Sequence, residues 1–584
     1  MSPPLRRLDQ PLVAVLEKRG RFLVGEPLFG RGPRPAVDPR GASTGDLVLV
    51  GSGKRGARVI RRLGRPDRAR DVLEGLMLDR GLHRNYARSA VAEAQDATGE
   101  PYAADARVDL TALPTFTIDP DDARDFDDAI SAASEDDGRI RVWVHIADVT
   151  AYLRPGGPLE GAAYRRGTSV YVPGAVEPML PEVLSNQACS LRPGEDRLAV
   201  TVEMEMDGAE VRNVQFHRSR VRSDGRLTYS EVDEIFAGRA RAQEPWASPL
   251  EAAREVAAAL RARRAAIELG SPEPIFDFDS DGHVTGVRHE EQTESHSLIE
   301  QLMILANEQV AGYLADRRLP TLYRVHERPE PTSVAYLAEQ LASLEIPTPP
   351  VPEHMTPQQA ADLATEMSRI VARDAGGERI GAPPAEPAAS ARRALGILVL
   401  RSLKQAFYSP RNLGHAGLGS ARYCHFTSPI RRYPDVVAHR ALLQGLGIDN
   451  TAAPAHELDE AGVASSAAER AAMEIERAAD DICLAFLLER VLSEADPVDP
   501  PAFEGEVVGL IEKGAFVRFG EQGFEGFLPS RRLRGWWTLN ELGTALEEEG
   551  SGRRLRFGDP VNVVVDRVET ARGRVDLSPV AAYS

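Results

Sequence analysis

Cysteine is scarce in this chain, with three residues among 584. Cys189, Cys424 and Cys483 lie far apart and show none of the close paired spacings that a zinc site uses. The same scarcity argues against a disulfide framework, which is typical of small proteins in oxidising compartments. The cysteine pattern therefore predicts a protein of the reducing cytoplasm.

Long hydrophobic runs are also missing. The most apolar stretch, ALGILVLRSL at residues 394–403, is interrupted by Arg401 and is too short to cross a bilayer. The opening segment, MSPPLRRLDQPLVAVLEKRG, places charges on both sides of a short apolar patch, which is not the pattern of a secretory signal. We therefore expect no membrane partner.

The net charge of −18 at pH 7 at first argues against a nucleic-acid partner. The charge is unevenly spread, because residues 1–75 carry 16 Lys or Arg against 8 Asp or Glu. A ligand responds to the field of the local patch, so a basic segment on an acidic body still permits phosphate binding.

Chain length and pattern indicate several domains, because 584 residues exceed what a single core normally supports. Short β-like runs predict a small basic module at residues 1–62, a barrel or a winged helix, and helical periodicity predicts a connector at 63–104. Residues 105–495 indicate a mixed α/β region that ends in helices. PVDPPA at 497–502 marks a boundary, and closely spaced strands fill 502–580. The expected fold class is multidomain α+β.

The stretch TIDPDDARDFDD, residues 117–128, contains six Asp side chains within ten positions. Carboxylates packed so closely repel one another. A calcium loop is excluded, because Arg124 and Ile130 occupy the positions that need Gly and Glu. Two interpretations stay open: a solvated loop, or a site in which several Asp oxygens hold one or two hard cations for phosphoryl transfer.

A second acidic string, FDFDSDGHVTGV at residues 276–287, also resembles a calcium loop at first sight. Its twelfth loop position is Arg288, which cannot ligate a cation. Asp281-Gly282 between two alternating runs instead predicts a β-hairpin.

Six motifs follow one another between residues 115 and 490. They are IDPDDARDFDDAI, VHIADVTAYL, RGTSVYVPGAVEPMLPEVLSNQACSL, LIEQLMILANEQVA, LYRVHE and HFTSPIRRYPDVVAHR. In this order they resemble the RNB-type catalytic domain of the ribonuclease II and ribonuclease R family. The resemblance implies a monomeric exoribonuclease with Mg²⁺, or Mn²⁺ in its place, as cofactor. It also implies that single-stranded RNA with a free 3′ end threads into a channel and is degraded processively to nucleoside 5′-monophosphates.

The resemblance further implies roles for particular residues. Asp119, Asp125, Asp127 and Asp128 match the family's metal-binding carboxylates, which agrees with a two-metal mechanism of phosphodiester hydrolysis. Asp127 and Arg431 match catalytic positions, and the arginine is expected to stabilise the transferring phosphate. The remaining matches are expected to contact the substrate: Tyr171, which stacks on the terminal nucleotide, Arg432 beside Arg431, and Glu476.

Residues 502–580 resemble the OB-fold RNA-binding module that is repeated in a ribosomal small-subunit protein. Alternation in the strand AFVRF predicts that Phe516 and Arg518 face outward, where an aromatic ring and a cation can contact bases and phosphates. The N-terminus departs from the family. About 100 residues precede the acidic motif, too few for the two cold-shock barrels and connector of a typical bacterial member.

The alternative function is that of a catalytically inactive RNA-binding relative with the same fold. Such a relative is expected to have lost residues that the chemistry requires. Asp127 and Arg431 are both present, which favours the enzyme.

Overall fold

The structure is a computed structural model that describes residues 11–53, 56–82, 85–103, 107–264, 273–375, 394–496 and 501–580. Residues 1–10 of the predicted basic module and residues 497–500 of the predicted Pro-rich boundary lie outside the described residues. Within the described ranges, no helix combines the length and apolarity needed to span a membrane.

The N-terminal module is a curled sheet built from β1 (Leu12–Arg19), β2 (Phe22–Pro27), β3 (Val37–Asp38), β4 (Leu47–Gly53) and β5 (Gly56–Gly64). Its strand order is β2-β1-β4-β5-β3, and a bridge between Val24 and Ala36 brings its two edges together. Alternating apolar side chains of β1 and β4 fill the interior. The described part of residues 11–64 contains no helix, so the topology is that of a barrel and not of a winged helix.

Two helices, α1 (Ala69–Asp79) and α2 (Arg88–Gly99), connect this barrel to the central region. The main central strands are β6 (Val108–Asp109), β7 (Phe116–Asp119), β8 (Asp128–Ser134), β9 (Ile140–Ala147), β10 (Val170–Val172), β11 (Ala175–Glu177), β12 (Asp196–Asp207), β13 (Glu210–Arg222) and β14 (Gly225–Thr228). Later strands form two pairs: β15 (Glu273–Phe278) with β16 (Val284–Glu290), and β17 (Tyr323–Val325) with β18 (Phe407–Ser409).

The central helices are α3 (Pro158–Arg166), α4 (Tyr229–Phe236), α5 (Ala247–Arg263), α6 (Glu294–Asp316), α7 (Pro331–Ser343), α8 (Pro357–Ala375), α9 (Leu395–Ser402), α10 (Tyr433–Gly445) and α11 (Leu458–Glu494). The seven-stranded sheet has the order β14-β7-β8-β9-β12-β13-β6. Side chains of β9 such as Val144 and Ile146 are fully buried in one core with Leu250 of α5 and Leu302 of α6. This helix-covered sheet holds β7 and β8, between which the acidic stretch lies.

The predicted hairpin at the second acidic string is confirmed, because β15 and β16 pair in antiparallel register. Its turn uses Gly282 at φ +85°, a conformation that favours glycine. The Asp279 carboxylate accepts hydrogen bonds from the backbone N–H groups of Asp281 and His283 at 3.0 and 2.9 Å. The aspartates of this string therefore shape a turn.

The C-terminal region contains β19 (Ala502–Ile511), β20 (Gly514–Phe519), β21 (Phe524–Pro529), β22 (Trp537–Leu539), β23 (Ala545–Glu548), β24 (Arg554–Arg556), β25 (Pro560–Glu569) and β26 (Arg574–Pro579). A closed barrel forms in the order β19-β20-β21-β26-β25, while β22, β23 and β24 form a separate small sheet inserted between β21 and β25. The predicted OB-type barrel and the multidomain α+β class are thereby confirmed.

The two barrels touch each other. The Arg572 guanidinium, which follows β25, donates hydrogen bonds to the carbonyl oxygens of Leu28 and Pro27 at 3.0 and 3.4 Å. The barrel regions at the two ends of the chain therefore meet, although more than 500 residues separate these partners.

Candidate active site

The acidic stretch forms the connection between two neighbouring strands of the central sheet. Asp119 ends β7 and Asp128 begins β8. Asp127 is only 4% exposed, whereas Asp121 and Asp122 lie in solvent. The stretch is therefore not a uniformly solvated loop, because its carboxylates divide into an inner group of partly or fully buried residues and an exposed outer pair, Asp121 and Asp122. The inner group consists of Asp119, Asp125, Asp127 and Asp128.

Contacts from distant segments fix the backbone of this connection. The Ser190 hydroxyl accepts a hydrogen bond from the Phe126 N–H at 3.0 Å and lies 2.9 Å from the Arg124 carbonyl, to which it donates. The Arg226 guanidinium donates to the Asp121 carbonyl at 2.9 Å and lies over the Phe126 ring, 5.7 Å from its centroid. The Phe126 ring itself is buried in a hydrophobic cluster, which also holds this connection in place.

Burial and mutual repulsion perturb the inner carboxyl groups. Burial first, and the neighbouring Asp128 second, raise the pKa of Asp119 to about 7. Burial raises the pKa of Asp128 to about 6, even though Arg431 and Arg432 lower it. Burial also raises the pKa of Asp127 well above its ordinary value. Carboxyl groups whose pKa is raised in this way are typical of functional sites, where a bound ligand compensates their negative charge.

Asp127 links the acidic connection to the arginine motif. One of its oxygens accepts from the Ile430 N–H at 2.8 Å, and the other lies 3.3 Å from the Nε of Arg431. The Arg431 side chain also donates to the Ser428 hydroxyl at 3.2 Å and remains half-exposed. Arg431 is therefore both anchored to the carboxylates and accessible to a substrate.

Arg432 occupies a different environment from Arg431. Its guanidinium forms a bidentate ion pair with Asp435 at the start of α10, with N···O distances of 2.8 and 2.9 Å. Asp435 is fully buried and also accepts from the Ser428 N–H at 2.8 Å. The predicted substrate contact of Arg432 remains a prediction, because the structure gives its guanidinium an internal partner.

Tyr171 joins the same centre from β10. Its hydroxyl donates to Asp125 at 3.0 Å, and its backbone N–H donates to the carboxylate of Glu476 on α11 at 2.9 Å. A hydrogen bond of 2.9 Å from the Ser169 N–H to the Arg431 carbonyl holds this segment against the arginine motif. The structure thus brings together the acidic stretch, Tyr171, Arg431 and Glu476 from four distant parts of the sequence.

Phe516 and Arg518 lie on a different surface, the outer face of the C-terminal barrel. Phe516 is 41% exposed and its ring lies 5.2 Å from that of Phe527. Ala515, Val517 and Phe519 point into the barrel core, as the strand alternation predicts. Arg518 pairs with Glu525 at 2.7 Å, so its charge is already partly neutralised.

The donor chemistry of the inner carboxylates fits a hard divalent cation. Carboxylate oxygens are the ligands that Mg²⁺ prefers. One oxygen of Asp119 is buried and has no hydrogen-bond partner. Within the described residues, no three His, Cys, Asp or Glu side chains already stand at metal-ligand spacing. His145, His425 and His439 instead hydrogen-bond to Thr201, Tyr408 and the Phe426 carbonyl, respectively.

Two positioning residues escape sequence reasoning. Asn307 of α6 accepts from the Phe426 N–H at 2.8 Å and donates to the Tyr423 hydroxyl at 3.1 Å, and so supports the segment that carries Arg431. Ser190 supports the acidic stretch, as described above. No sequence signal marks Asn307, because the polar residues Glu308 and Gln309 follow it directly and only its burial in the structure sets it apart.

The raised pKa of Asp119 predicts a pH dependence of stability in the metal-free protein. Between its ordinary pKa of 3.8 and about 7, the folded state retains a proton that the unfolded chain has lost. The free energy of unfolding should therefore fall as the pH rises through this window. Asp119→Asn cannot ionise, so its melting temperature relative to wild type should increase from about pH 5 to about pH 8. Thermal unfolding of both proteins in EDTA measures this, and an equal difference at both pH values would contradict it.

Two known protein families match this chain, one over the central region and one over the C-terminal barrel. Residues 107–447 match the RNB domain, and residues 502–579 match the S1 RNA binding domain. The chain is 35% identical to ribonuclease R of Escherichia coli over 498 residues, which cover 82% of this chain and 58% of that protein. It is 32% identical to ribonuclease R of Vibrio parahaemolyticus over a gapped alignment of 619 positions, which covers 98% of this chain and 71% of that protein.

The fold is also similar to a solved structure. Mycoplasma genitalium RNase R in complex with ribose-methylated single-stranded RNA gives a TM-score of 0.84 at 23% identity. The similarity covers 99% of this chain and 90% of that one. The chain spans less than two thirds of the length of the E. coli relative. On these grounds the chain belongs to the ribonuclease R family.

Proposed function

We propose that this chain is a 3′→5′ exoribonuclease that hydrolyses single-stranded RNA to nucleoside 5′-monophosphates. The observation that carries the proposal is the convergence of Asp125, Asp127, Tyr171 and Arg431 at one partly open centre. Phosphodiester hydrolysis needs acidic oxygens for cations, a guanidinium for the phosphate and a surface for the base. This centre offers all three.

In the proposed mechanism, Asp119, Asp125, Asp127 and Asp128 hold Mg²⁺ ions, which Mn²⁺ can replace. When bound, such ions activate the attacking water and neutralise charge on the phosphate. Arg431 donates to the phosphate oxygens as negative charge develops there. Tyr171 stacks on the terminal nucleotide, a contact that does not depend on base identity. The Glu476 carboxylate fixes the backbone of Tyr171 and so positions its ring.

Further features of the proposal follow from the family assignment. The substrate has a free 3′ end, degradation is processive, and the protein works as a cytoplasmic monomer. The module of residues 1–62, the connector of residues 63–104, the catalytic domain of residues 105–495 and the RNA-binding domain of residues 502–580 are the proposed functional units. Phe516 and Arg518 contribute RNA contacts on the last of these. The alternative is an inactive RNA-binding relative, against which the retained Asp127 and Arg431 argue.

Removal of divalent cations should abolish cleavage. The four inner carboxylates repel one another and have few other cationic partners, so chemistry that depends on them requires bound ions. Protein stripped with EDTA should leave 5′-labelled single-stranded RNA intact, and added Mg²⁺ or Mn²⁺ should restore its shortening. Ca²⁺ at the same concentration serves as a control for ionic strength. Full activity of the stripped protein in EDTA would contradict the metal mechanism.

A further inference from the structure

Trp536 is unusually open to solvent. Its exposed fraction is 71%, whereas the other tryptophans of the chain, Trp143, Trp246 and Trp537, are at most 9% exposed. A large aromatic surface in water is unfavourable by itself. An indole that is open to solvent in this way offers an aromatic face on which a ligand can stack.

The backbone that carries Trp536 is held in place. The Arg534 carbonyl accepts from the indole N–H of Trp537 at 2.8 Å and from the guanidinium of Arg553 at 3.2 Å. The Trp536 carbonyl accepts from the Glu549 N–H at 2.8 Å. Gly535 between them adopts φ +93°, which favours glycine. The ring is thus presented by an ordered turn, which lowers the entropy lost when a ligand binds.

The sheet next to this turn is anchored to the RNB domain. Gln340 of α7 donates to the Leu542 carbonyl at 2.9 Å, and the hydroxyls of Ser343 and Thr544 lie 2.9 Å apart. The β22–β24 sheet therefore connects the S1 barrel to α7. A ligand on Trp536 would be held at a fixed place relative to the RNB domain.

Charges of both signs lie around Trp536, and the glutamates Glu547 and Glu548 are paired with Arg554 and Arg553. Arg531 and Arg534 are exposed, and within the described part of the chain no acidic side chain pairs with either guanidinium. Their neighbours differ: Arg532 pairs with Asp566 at 3.0 Å and Arg554 pairs with Glu547 at 3.1 Å. Arg534 precedes Trp536 by two positions in the sequence, and Arg531 precedes it by five.

We propose that Trp536, Arg531 and Arg534 form a second contact site for single-stranded RNA on the S1 domain. The indole would stack on a base, and the two guanidinium groups would bind phosphates on either side of it. This site is separate from the outward face of β20 that carries Phe516. The proposal rests on the proposed function for the nature of the ligand. Stacking is indifferent to base identity, as a general RNA-degrading enzyme requires.

The single exposed indole provides a direct test. Acrylamide quenching of tryptophan fluorescence should report mainly Trp536 in the full chain, and Trp536→Phe should lose this accessible fraction. In EDTA, which prevents cleavage, saturating uridine oligonucleotide of about 20 nucleotides, longer than one OB-fold site, should protect the indole of the wild-type protein.

Affinity measurements separate stacking from a structural role. Trp536→Ala should weaken binding of this oligonucleotide about 5-fold or more, whereas Trp536→Phe should retain most of the affinity. Arg531→Ala and Arg534→Ala should each reduce the salt slope by about 0.7. Arg554→Ala, which removes a β24 arginine that pairs with Glu547, should leave the salt slope unchanged.

The proposal is overturned if Trp536 remains fully quenchable at saturating RNA and Trp536→Ala binds like wild type. That result would show that RNA does not contact the ring. The same wild-type preparation is assayed for RNA cleavage in Mg²⁺. Cleavage with an unprotected Trp536 would refute this site alone, whereas protection without cleavage would refute the proposed enzyme and retain the site.

Discussion

Asp127→Asn should lower the rate of RNA cleavage by about 10³-fold or more, while RNA affinity in EDTA stays close to that of wild type. The asparagine carbonyl can still accept from the Ile430 N–H, so the connection between the acidic stretch and the arginine motif is retained. The negative charge that should bind a cation and orient Arg431 is lost. Affinity persists because most of it comes from contacts along the RNA backbone.

Single-turnover cleavage of a labelled RNA and equilibrium binding in EDTA measure the two quantities separately. Asp122→Asn is the matched control, because Asp122 lies in the same stretch but in solvent, and its rate should equal that of wild type. Thermal unfolding checks that both variants are folded. A near wild-type rate for Asp127→Asn would show that this carboxylate is not part of the chemistry.

Arg431→Ala should mainly lower the cleavage rate and Arg432→Ala should mainly lower the stability, although the two residues are adjacent. Arg431 is half-exposed beside Asp127, so its loss should reduce the single-turnover rate about 10²-fold with a small effect on stability. Arg432→Ala leaves Asp435 buried without its partner, which should lower the free energy of unfolding by about 3 kcal/mol or more.

Cleavage rates at a temperature where both variants are folded, together with chemical denaturation, distinguish the two effects. Arg431→Lys retains a charge but loses the planar guanidinium, and should recover part of the rate. The reverse ranking, with Arg432→Ala slower in chemistry and Arg431→Ala less stable, would exchange the assigned roles of the pair.

The sequence predicts which side chains carry the chemistry of this site, but it predicts less well which residues pair with them. The acidic stretch, Tyr171 and Arg431 stand in ordered motifs, so their resemblance to a family reveals them. The pairing of Arg518 with Glu525 depends on the register of β20 against β21, which the composition of AFVRF does not reveal. The bond between Arg432 and Asp435 spans three residues at a helix start, and helical spacing could have predicted it.

The hydrogen bonds that support the site from distant parts of the chain could not be predicted from the sequence. Ser190 reaches the acidic stretch across 64 positions, and Asn307 reaches Phe426 across 119. Neither residue type in isolation signals such a contact, because polar side chains of this kind are usually solvated. For the same reason, the sequence predicts either a barrel or a winged helix for the N-terminal module and does not decide between them. Its closure depends on non-local pairing between Val24 and Ala36, across a segment with no regular pattern.

The proposed activity of this chain is the removal of nucleotides from the 3′ end of RNA. The most direct measurement compares two copies of one single-stranded RNA in Mg²⁺, one labelled at its 5′ end and one at its 3′ end. The proposal predicts that the 3′ label appears at once as a nucleoside 5′-monophosphate, while the 5′ label moves to a short end product without intermediates of decreasing length. RNA that is bound but never shortened in Mg²⁺ or Mn²⁺ would contradict the proposal and identify an inactive RNA-binding protein.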